Sequence, residues 1–455
     1  AEIHTAGLII AGTFWDILET LDLTLDRAEA LAICRRLWLD HMVFETGVIA
    51  PQLVIDVLMA DDDDGNILNG TPHDDAILSG FAAHGLEPPA FEWFAMQATP
   101  LPDTVDEIGP YPVSIEVASL SGSPVQSVTL TVSTDGGVSN IDLAETAPGT
   151  YEGSIPGQLA PAGVHYFYTA TDALGHAQSY PEGAPDHPPL FLVGALETIF
   201  FEPVGSTAGG FSHSAAAGQD DWQRGTPNVQ GTNPWDPLVA SSPPYVWGND
   251  LNPFGWNGDY PSDSHNALVL PPIDLSGRSN TKLRYRRWLT VERAPYDIAR
   301  VVVEGTVIWQ NPSTKDWIDT SWVEVTHDIA PWADGNPAVD IRFELETNGL
   351  VEFGGWNLDD FELLTVGPLS DPFDRGDCNS DGARDLADPI ALLGHLYEGL
   401  SVPDCADACD ADDDGALTLD DALSMLETFF LDGAPLPEPY PESGIDPTPD
   451  GLRCR

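Results

Sequence analysis

A chain of 455 residues is too long for one hydrophobic core, so its length predicts roughly three or four domains. Its 17 Lys and Arg residues against 73 Asp and Glu residues give a net charge of −56, which excludes nucleic acid and argues against anionic membrane surfaces as partners. This excess of carboxylates favours divalent cations, which would relieve the self-repulsion of the chain. A hydrophobic content of 42% indicates a folded protein, and no apolar run approaches the ~20 residues of a membrane span.

Residues 1–88 carry the apolar spacing of helices. A first helix is predicted from apolar side chains that recur every three or four positions, namely Ile10, Phe14, Ile17 and Leu21. Two further helices are predicted in the strings DRAEALAICRRLWLDHM and PQLVIDVLM. For a fourth helix, Thr71 is predicted as the N-cap, with Asp74 closing a capping-box-like pair and Gly85 as the stop signal.

The next segment changes to an alternation of apolar and polar residues. A Pro-rich stretch, LEPPAFEWFAMQATPLPD, is predicted to be a linker, and strands such as VSIEVASL and VHYFYTATD follow it. Turn signals at intervals of about 8–12 residues predict that 104–195 is a small β-sandwich of the immunoglobulin-like or fibronectin-III-like type. The segment shows no catalytic constellation, so we interpret it as a rigid spacer.

A second Pro-rich hinge, YPEGAPDHPPL, precedes a larger all-β segment at 196–366. Few strands, long loops and a length of about 170 residues predict a two-sheet jelly roll. We expect four Trp residues to lie in its loops, where they either plug the ends of the sandwich or stack on sugar rings or a partner surface. They are Trp222, Trp235, Trp247 and Trp256.

The last segment, 367–455, contains an internal repeat of two acidic strings offset by 33 residues. DCNSDGARDLAD (377–388) and DADDDGALTLDD (410–421) both match the twelve-residue EF-hand loop, in which alternate residues present oxygen ligands to calcium and Gly at position 6 permits the turn. The first string predicts a ligand set of Asp377, Asn379, Asp381, Ala383 through its carbonyl, Asp385 and Asp388. The second predicts Asp410, Asp412, Asp414, Ala416 through its carbonyl, Thr418 and Asp421. We therefore expect two Ca²⁺ sites.

A similar string near the N-terminus, ADDDDGNILNGT at 60–71, fails the same comparison because position 1 is Ala60 and position 12 is Thr71. We interpret it as a solvated turn before a helix, or as a cation site of another geometry that uses Asp62 and Asp64.

Four of the five cysteines fall in the last segment, and only Cys34 stands apart. Such clustering is typical of a disulfide framework in an oxidising compartment, although the spacing leaves three pairings open among Cys378, Cys405, Cys409 and Cys454. Zinc is the rival, but no His stands at ligand spacing among them. We expect a secreted or cell-surface protein. Because Ala1 begins within structured sequence, without Met or a signal peptide, we also expect a fragment or a processed piece.

The tandem loop–helix repeats resemble a type I dockerin, the module that joins enzymes to cohesin-bearing scaffolds. The added cysteines and the tail GAPLPEPYPES resemble the variant found at the C-termini of large secreted proteins of planctomycete-type bacteria. This resemblance implies calcium-dependent folding and a cohesin-like or cell-surface protein partner. Loop positions 10 and 11, which carry recognition in dockerins, are Leu386/Ala387 in one repeat and Leu419/Asp420 in the other, so symmetric binding is not assumed.

The N-terminal strings IHTAGLIIAGTFWDI and DDDDGNILNGTPHDDAILSGFAAHGL resemble the helical end of the catalytic domain in thermolysin-like and fungalysin-like metallopeptidases. By position, His4 matches the His that stabilises the oxyanion in that family; a His that caps a helix is the alternative. The chain contains no H-E-x-x-H, so it is inactive as given, and Zn²⁺ would belong only to a full-length parent.

Segment 196–366 resembles the MAM-like jelly rolls appended to secreted metallopeptidases, through FFEP, HNALVLPPIDLS and GGWNLDDFELL. This resemblance implies a structural calcium at Glu202 and at Asp359 or Asp360.

Together these features predict a multidomain chain: a small α-helical domain, two β-sandwiches and an α-helical dockerin-like domain. We interpret it as the C-terminal accessory region of a secreted modular metallopeptidase, acting on an extracellular protein or glycan. The alternatives are a non-catalytic adhesion or carbohydrate-binding protein and a cellulosome-type polysaccharide-degrading component.

Overall fold

The computed structural model describes residues 3–42, 51–205, 207, 209–228, 234–251, 258–369, 371–401, 403–431, 433–448, 452 and 454. Within these ranges the chain forms a helical unit, two β-sandwich units and a small C-terminal helical unit, in that order. None of the helices in the described ranges is both long and apolar enough to cross a membrane.

The helical unit packs its helices around one apolar core, which includes Phe14, Ile17 and Phe81. Its elements are α1 (Ile3–Leu21), α2 (Arg27–His41), α3 (Gln52–Asp61), a 3₁₀ turn (Ile67–Asn69) and α4 (Asp74–Ala82). All four predicted helices are present, because each has an apolar face to bury against its neighbours.

The start of α4 differs from the prediction. The Thr71 hydroxyl does not cap the helix but donates a hydrogen bond to Oδ2 of Asp61 at 2.9 Å. Asp61 also accepts hydrogen bonds from the backbone N–H of His73 and from Arg36. The buried carboxylate of Asp61 therefore competes successfully for the hydroxyl, since a buried charge needs several donors. Gly85 does follow the helix end, in the left-handed conformation at φ +72°.

The first sandwich consists of two antiparallel sheets. One has the order β1-β2-β6-β5, the other has the order β4-β3-β7-β8, and β9 also pairs with β7. Its strands are β1 (Phe94–Ala98), β2 (Tyr111–Ser119), β3 (Val125–Thr134), β4 (Gly137–Asp142), β5 (Ala144–Ala147), β6 (Thr150–Ile155), β7 (Ala162–Asp172), β8 (Ala177–Tyr180) and β9 (Leu190–Val193). The predicted linker thus contains β1, whose Phe94 is buried in the core.

The second sandwich places two antiparallel sheets face to face. One has the order β12-β13-β21-β15-β18, with β10 on β21 and β19 on β15; the other has the order β11-β14-β20-β16-β17. Its elements are β10 (Ala195–Glu202), β11 (Ser212–Ala217), β12 (Trp222–Gly225), β13 (Val246–Asn249), β14 (His265–Val269), β15 (Thr281–Val291), β16 (Ile298–Val303), β17 (Thr306–Gln310), β18 (Trp317–Ile318), β19 (Val323–Asp328), α5 (Ala330–Ala333), β20 (Ile341–Glu346) and β21 (Gly355–Gly367).

The prediction that four Trp residues lie in loops is wrong for two of them. Trp222 lies on β12 and Trp247 on β13, and both are buried in the core between the sheets. Trp235 is partly buried and packs on Phe353, with 4.7 Å between the ring centroids. Trp256 lies outside the described residues. The tryptophans that can be placed therefore fill the sandwich, because a large apolar ring gains most free energy when it leaves water.

The two sandwiches are joined with almost no linker. Only Gly194 separates β9 of the first from β10 of the second. Leu192 packs against Leu364 and Val366, and Arg284 of the second sandwich forms an ion pair with Asp103 of the first. These contacts form an interface between the two units.

The C-terminal unit is small and cross-linked. It contains α6 (Ala387–Glu398), a single turn α7 (Ala406–Cys409) and α8 (Leu419–Phe430), with α6 packed on α8. Disulfides join Cys378 to Cys409 and Cys405 to Cys454, which resolves the pairing that the spacing left open. Cys34 is a free thiol. Two disulfides compensate for a core too small to stabilise such a unit by burial alone.

Candidate calcium loops

The two acidic strings of the C-terminal unit fold into the same turn. Ser380 and Asp413, at loop position 4, both take left-handed backbone at φ +58° and +62°. At position 6, φ is +83° for Gly382 and +80° for Gly415, where a side chain would be strained. The repeat in sequence is therefore a repeat in backbone conformation.

Position 1 of each loop holds its turn together in the same way. The carboxylate of Asp377 accepts hydrogen bonds from the backbone N–H groups of positions 5 and 6, at 3.1 and 2.9 Å. Asp410 accepts from the equivalent N–H groups at 3.3 and 3.0 Å. These bonds turn the backbone of each loop around its first aspartate.

Position 12 closes each loop from the helix side. Asp388 accepts hydrogen bonds from the N–H groups of positions 3 and 9 at 3.2 and 2.8 Å, and both of its oxygens are used. Asp421 accepts from positions 2, 3 and 9 at 2.8, 3.3 and 2.7 Å. Both side chains are fully buried. The first and last predicted ligands of each loop are thus fixed by backbone contacts.

The remaining predicted ligands lie on the rim of each loop. In the first loop, Asn379 donates to Asp381 at 3.0 Å, and Asp385 accepts from the N–H of Ala387 at 2.7 Å at the start of α6. Ala383, the predicted carbonyl ligand, donates its N–H to Asp381 at 2.9 Å.

The second loop repeats this rim at positions 3, 5, 7 and 9. Carboxylate oxygens of Asp410, Asp412 and Asp414 lie within 4.8 Å of one another. Ala416 donates its N–H to Asp414 at 2.9 Å, as Ala383 does in the first loop. Thr418 is the N-cap of α8 and forms a capping box with Asp421.

The electrostatics of these loops favour a cation. Burial, followed by the charge of Asp421, raises the pKa of Asp410 to about 7. Burial together with Asp421 and Asp414 raises the pKa of Asp412 to about 6, and burial raises the pKa of Asp388. Crowded carboxylates that resist ionisation gain free energy when a divalent cation replaces their protons. Their hard oxygen donors fit Ca²⁺, and the ion would supply the charge that the loop lacks.

Sequence reasoning missed Arg375, a fully buried residue just before the first loop. Its guanidinium donates to the carbonyl of Asp410 and forms ion pairs with Asp413 at 2.8 Å and Asp446 at 2.9 Å. It also donates to the carbonyl of Glu438 at 2.9 Å. Arg375 therefore joins the second loop to the C-terminal tail. The sequence did offer one signal for this role: Arg375 is a cation in a stretch rich in Asp, in a chain that has 17 Lys and Arg residues against 73 Asp and Glu residues.

The N-terminal acidic string forms a local turn that also gathers carboxylates. Oxygens of Asp62, Asp63 and Asp64 lie within 4.8 Å of one another and are mostly exposed. Asp64 accepts hydrogen bonds from the N–H of Asn66 at 2.9 Å and from the amide of Asn69 at 2.7 Å. The turn has internal donors for its carboxylates and is compatible with either interpretation made from the sequence.

The other predicted site residues are placed as follows. His4 falls in the first turn of α1, but its side chain lies outside the described part of the chain. Glu202 ends β10 and accepts a hydrogen bond from the N–H of Gly205 at 3.2 Å. Asp359 is fully buried on β21 next to Asp360, and burial raises the pKa of Asp359 to about 7. The 455 residues contain no H-E-x-x-H.

Comparisons with known proteins identify no family. No protein-family model and no curated protein matches the chain. One similar solved structure is a carbohydrate-binding module from the β-sandwich superfamily, at 13% identity over 60% of this chain and 99% of that chain, with a TM-score of 0.24.

A second is the K3 cleaved adhesin domain of Lys-gingipain from Porphyromonas gingivalis, at 14% identity over 38% of this chain and 99% of that chain, with a TM-score of 0.25. A third is a xylan-binding module, at 10% identity over 39% of this chain and 99% of that chain, with a TM-score of 0.23. The strand pairing and disulfides of this chain themselves define a multidomain protein built mainly of β-sandwich units.

Proposed function

We propose that this chain is part of a secreted modular protein whose C-terminal unit folds around two calcium ions and docks onto a protein partner. The observation that supports the calcium part is the repeated loop geometry, with buried aspartates at positions 1 and 12 held by equivalent backbone N–H groups. A turn that is only solvated would leave its carboxylates in water, whereas both loops bury the carboxylates at positions 1 and 12. The two disulfides support an oxidising, extracellular setting.

Calcium titration of the full chain tests this part of the proposal. We expect binding heat and a gain of helix by circular dichroism, and we expect Asp377→Ala and Asp410→Ala each to remove about one ion per chain. Asp404→Ala is the control, because Asp404 is an exposed acid between the loops that belongs to neither. Neither heat nor a change in helix content on calcium addition would refute the loop assignment.

The docking part of the proposal is supported by two exposed apolar stripes. Leu386, at the N-cap of α6, and Ile390 and Tyr397 on that helix are 53%, 58% and 68% exposed. The residues 33 positions later, along α8, are Leu419, Leu423 and Phe430, at 45%, 47% and 54% exposed. The inner faces of the same helices bury their own apolar residues at a matching offset, Leu392 and Met425.

Large apolar side chains left in water at equivalent points of both repeats favour a binding surface, since exposed patches of this kind are typical of interaction sites. Because the stripes follow the repeat, a partner could engage either helix. Calcium would act on this surface by ordering the loops from which α6 and α8 begin.

Binding to immobilised cohesin modules, with calcium and with EDTA, tests the docking part. We expect calcium-dependent binding that the double substitution Ile390→Ser and Leu423→Ser weakens by roughly tenfold or more. Leu350→Ser is the matched control, because Leu350 is 82% exposed but lies in the second sandwich. Binding that survives the double substitution would place the docking surface elsewhere.

The resemblance of residues 1–88 to metallopeptidases bears on the longer protein of which this chain would be a part. We propose that 1–88 is the helical end of a metallopeptidase-like domain, supported by the sequence resemblance alone. Coding sequence upstream of Ala1 tests it: H-E-x-x-H followed by a more distal Glu supports the peptidase, and its absence favours the adhesion or carbohydrate-binding alternative. Glycan-array binding by the full chain would strengthen that alternative.

A further inference from the structure

A cluster of buried polar side chains lies in the second sandwich, where β12, β13 and β21 of one sheet approach β14 of the other. Trp222 of β12 pairs with the residue at 249 on β13, and Gly248 pairs with the residue at 357 on β21. Each member is at most 6% exposed: Asp221, Asp236, Asn249, Asp250, Asn266 and Asn357. Neither the loops of the C-terminal unit nor the residue pair expected from the MAM-like resemblance includes any of them.

Asp221 is the centre of this cluster. Its Oδ1 accepts hydrogen bonds from the amide of Asn266 at 2.6 Å and from the amide of Asn249 at 3.1 Å. Because Asn266 lies on β14 and Asn249 on β13, the carboxylate of Asp221 connects the two sheets. A second pair repeats the arrangement, with the amide of Asn357 donating to Asp236 at 2.8 Å.

Three oxygens of the cluster accept no hydrogen bond from the described part of the protein. They are Oδ2 of Asp221 and the amide oxygens of Asn266 and Asn357. A buried acceptor without a donor is costly, and three of them in one cluster indicate a bound partner. A water molecule or a cation could satisfy these oxygens, and the charge of the cluster distinguishes the two.

The charges that act on Asp221 are unfavourable. The cluster contains three carboxylates, those of Asp221, Asp236 and Asp250, and each of these residues is at most 6% exposed. Several carboxylates buried together are costly unless a positive charge matches them. Water would satisfy the oxygens that lack donors but would leave the mutual repulsion of the carboxylates, whereas a divalent cation removes both costs.

We propose that this cluster is a structural calcium site, in which Asp221 and Asn266 ligate the ion through the oxygens that lack donors and Asp250 contributes the neighbouring carboxylate. The six side chains offer only carboxylate and amide oxygens as ligand atoms, which is the donor set that Ca²⁺ prefers over transition metals. The ion joins the two sheets at the level of β12 and β14.

Terbium luminescence and calcium counting test the site in the full chain. Trp222 follows Asp221 directly, and residues 367–455 contain no Trp, so excitation of Trp sensitises Tb³⁺ in the sandwich and not in the C-terminal loops. We expect sensitised emission that excess Ca²⁺ displaces. We expect Asp221→Asn to lower that emission severalfold and to reduce the calcium bound per chain by about one ion in equilibrium dialysis.

Asp297→Asn is the matched control. Asp297 is equally buried in the same unit, but donors reach both of its oxygens, from Tyr260 at 2.6 Å and from the N–H of Asn348 at 2.7 Å. It should leave the terbium signal and the calcium count unchanged. Equal calcium counts in the wild type and Asp221→Asn would overturn the proposal in favour of a neutral Asp221 carboxyl with bound water.

A second measurement needs no variant, in case Asp221→Asn fails to fold. Ten of the 13 Trp residues lie between 196 and 366, so unfolding followed by Trp fluorescence reports mainly on this sandwich. We expect EDTA to lower its unfolding temperature by several degrees. An unfolding temperature that is the same in calcium and in EDTA would also overturn the site, and neither result bears on the loops of the C-terminal unit.

Discussion

Arg375 illustrates how a single buried cation organises an acidic unit. It contacts the second loop and the tail, so residues that are far apart in sequence share one guanidinium. A buried arginine is stable only when all of its charge is matched, and here two carboxylates and two carbonyls do this. The tail is therefore an integral part of the C-terminal unit.

Replacing this residue should be costly. We expect Arg375→Met to destabilise the C-terminal unit by ~3–5 kcal/mol, because Asp413 and Asp446 would lose their counter-charge. Hydrogen exchange measured by mass spectrometry should show faster exchange in peptides from the tail, 433–448. Arg278→Met is the control, since Arg278 makes one exposed ion pair with Glu197 and should cost at most ~1 kcal/mol. Equal effects of the two substitutions would contradict this role.

At the scale of elements, each loop and the helix that follows it form one structural unit. The carboxylate at position 12 lies in the first turn of its helix and accepts hydrogen bonds from backbone N–H groups of the loop. The loop and the helix should therefore become ordered together. The disulfide between Cys378 and Cys409 then joins position 2 of the first loop to the residue just before the second. Binding of one ion should consequently assist the other loop.

The pKa shifts in these loops predict how stability depends on pH. Because the folded pKa values of Asp388, Asp410 and Asp412 are raised, the calcium-free fold binds more protons than the unfolded chain between about pH 4 and 7. This contribution is fully present below the unfolded pKa of 3.8 and is lost as the pH rises through the folded values. We expect the calcium-free C-terminal unit to become less stable from about pH 4.5 to 7.5.

Calcium should reverse that trend, since it binds the ionised carboxylates and competes with protons. Hydrogen exchange of α6 and α8 in the full chain, measured in EDTA and in calcium across this pH range, checks both directions. A calcium-free unit whose protection increases with pH would show that these carboxylates are not under mutual repulsion.

At the scale of the whole molecule, the two sandwiches behave as a joined pair in the structure. Besides the ion pair of Arg284 with Asp103, Lys315 pairs with Glu182 at 2.7 Å across the same interface. The side chain of Asp103 also accepts a hydrogen bond from the N–H of Leu192 at 2.8 Å. Because Leu192 lies on β9, this bond holds β9 beside the second unit. Such contacts over a one-residue connection leave little freedom for hinge motion.

We expect the two sandwiches to unfold in overlapping transitions in calorimetry of the full chain. Arg284→Met should separate these transitions, because it leaves Asp103 without its cation inside the interface. Arg342→Met is the control: its ion pair with Asp340 is local and half-exposed, so it should not change the overlap. Transitions that are already separate in the wild type would show that the units are thermodynamically independent.

The features that the sequence alone determined are those that depend on near neighbours. Apolar spacing predicted the four N-terminal helices and the strands of the sandwiches, and the spacing of Asp and Gly predicted two equivalent turns at 377–388 and 410–421. These predictions succeed because helix faces, strand alternation and loop turns follow from residues within a few positions of one another.

Only the tertiary structure decided which distant residues meet. It paired Cys378 with Cys409, drew Thr71 to Asp61 in place of a helix cap, and buried Trp222 and Trp247 in a core. It also gathered the cluster around Asp221, whose members come from three strands and from the segments that flank them. Burial and charge at such places are sums over residues far apart in sequence, and spacing along the chain holds no record of them.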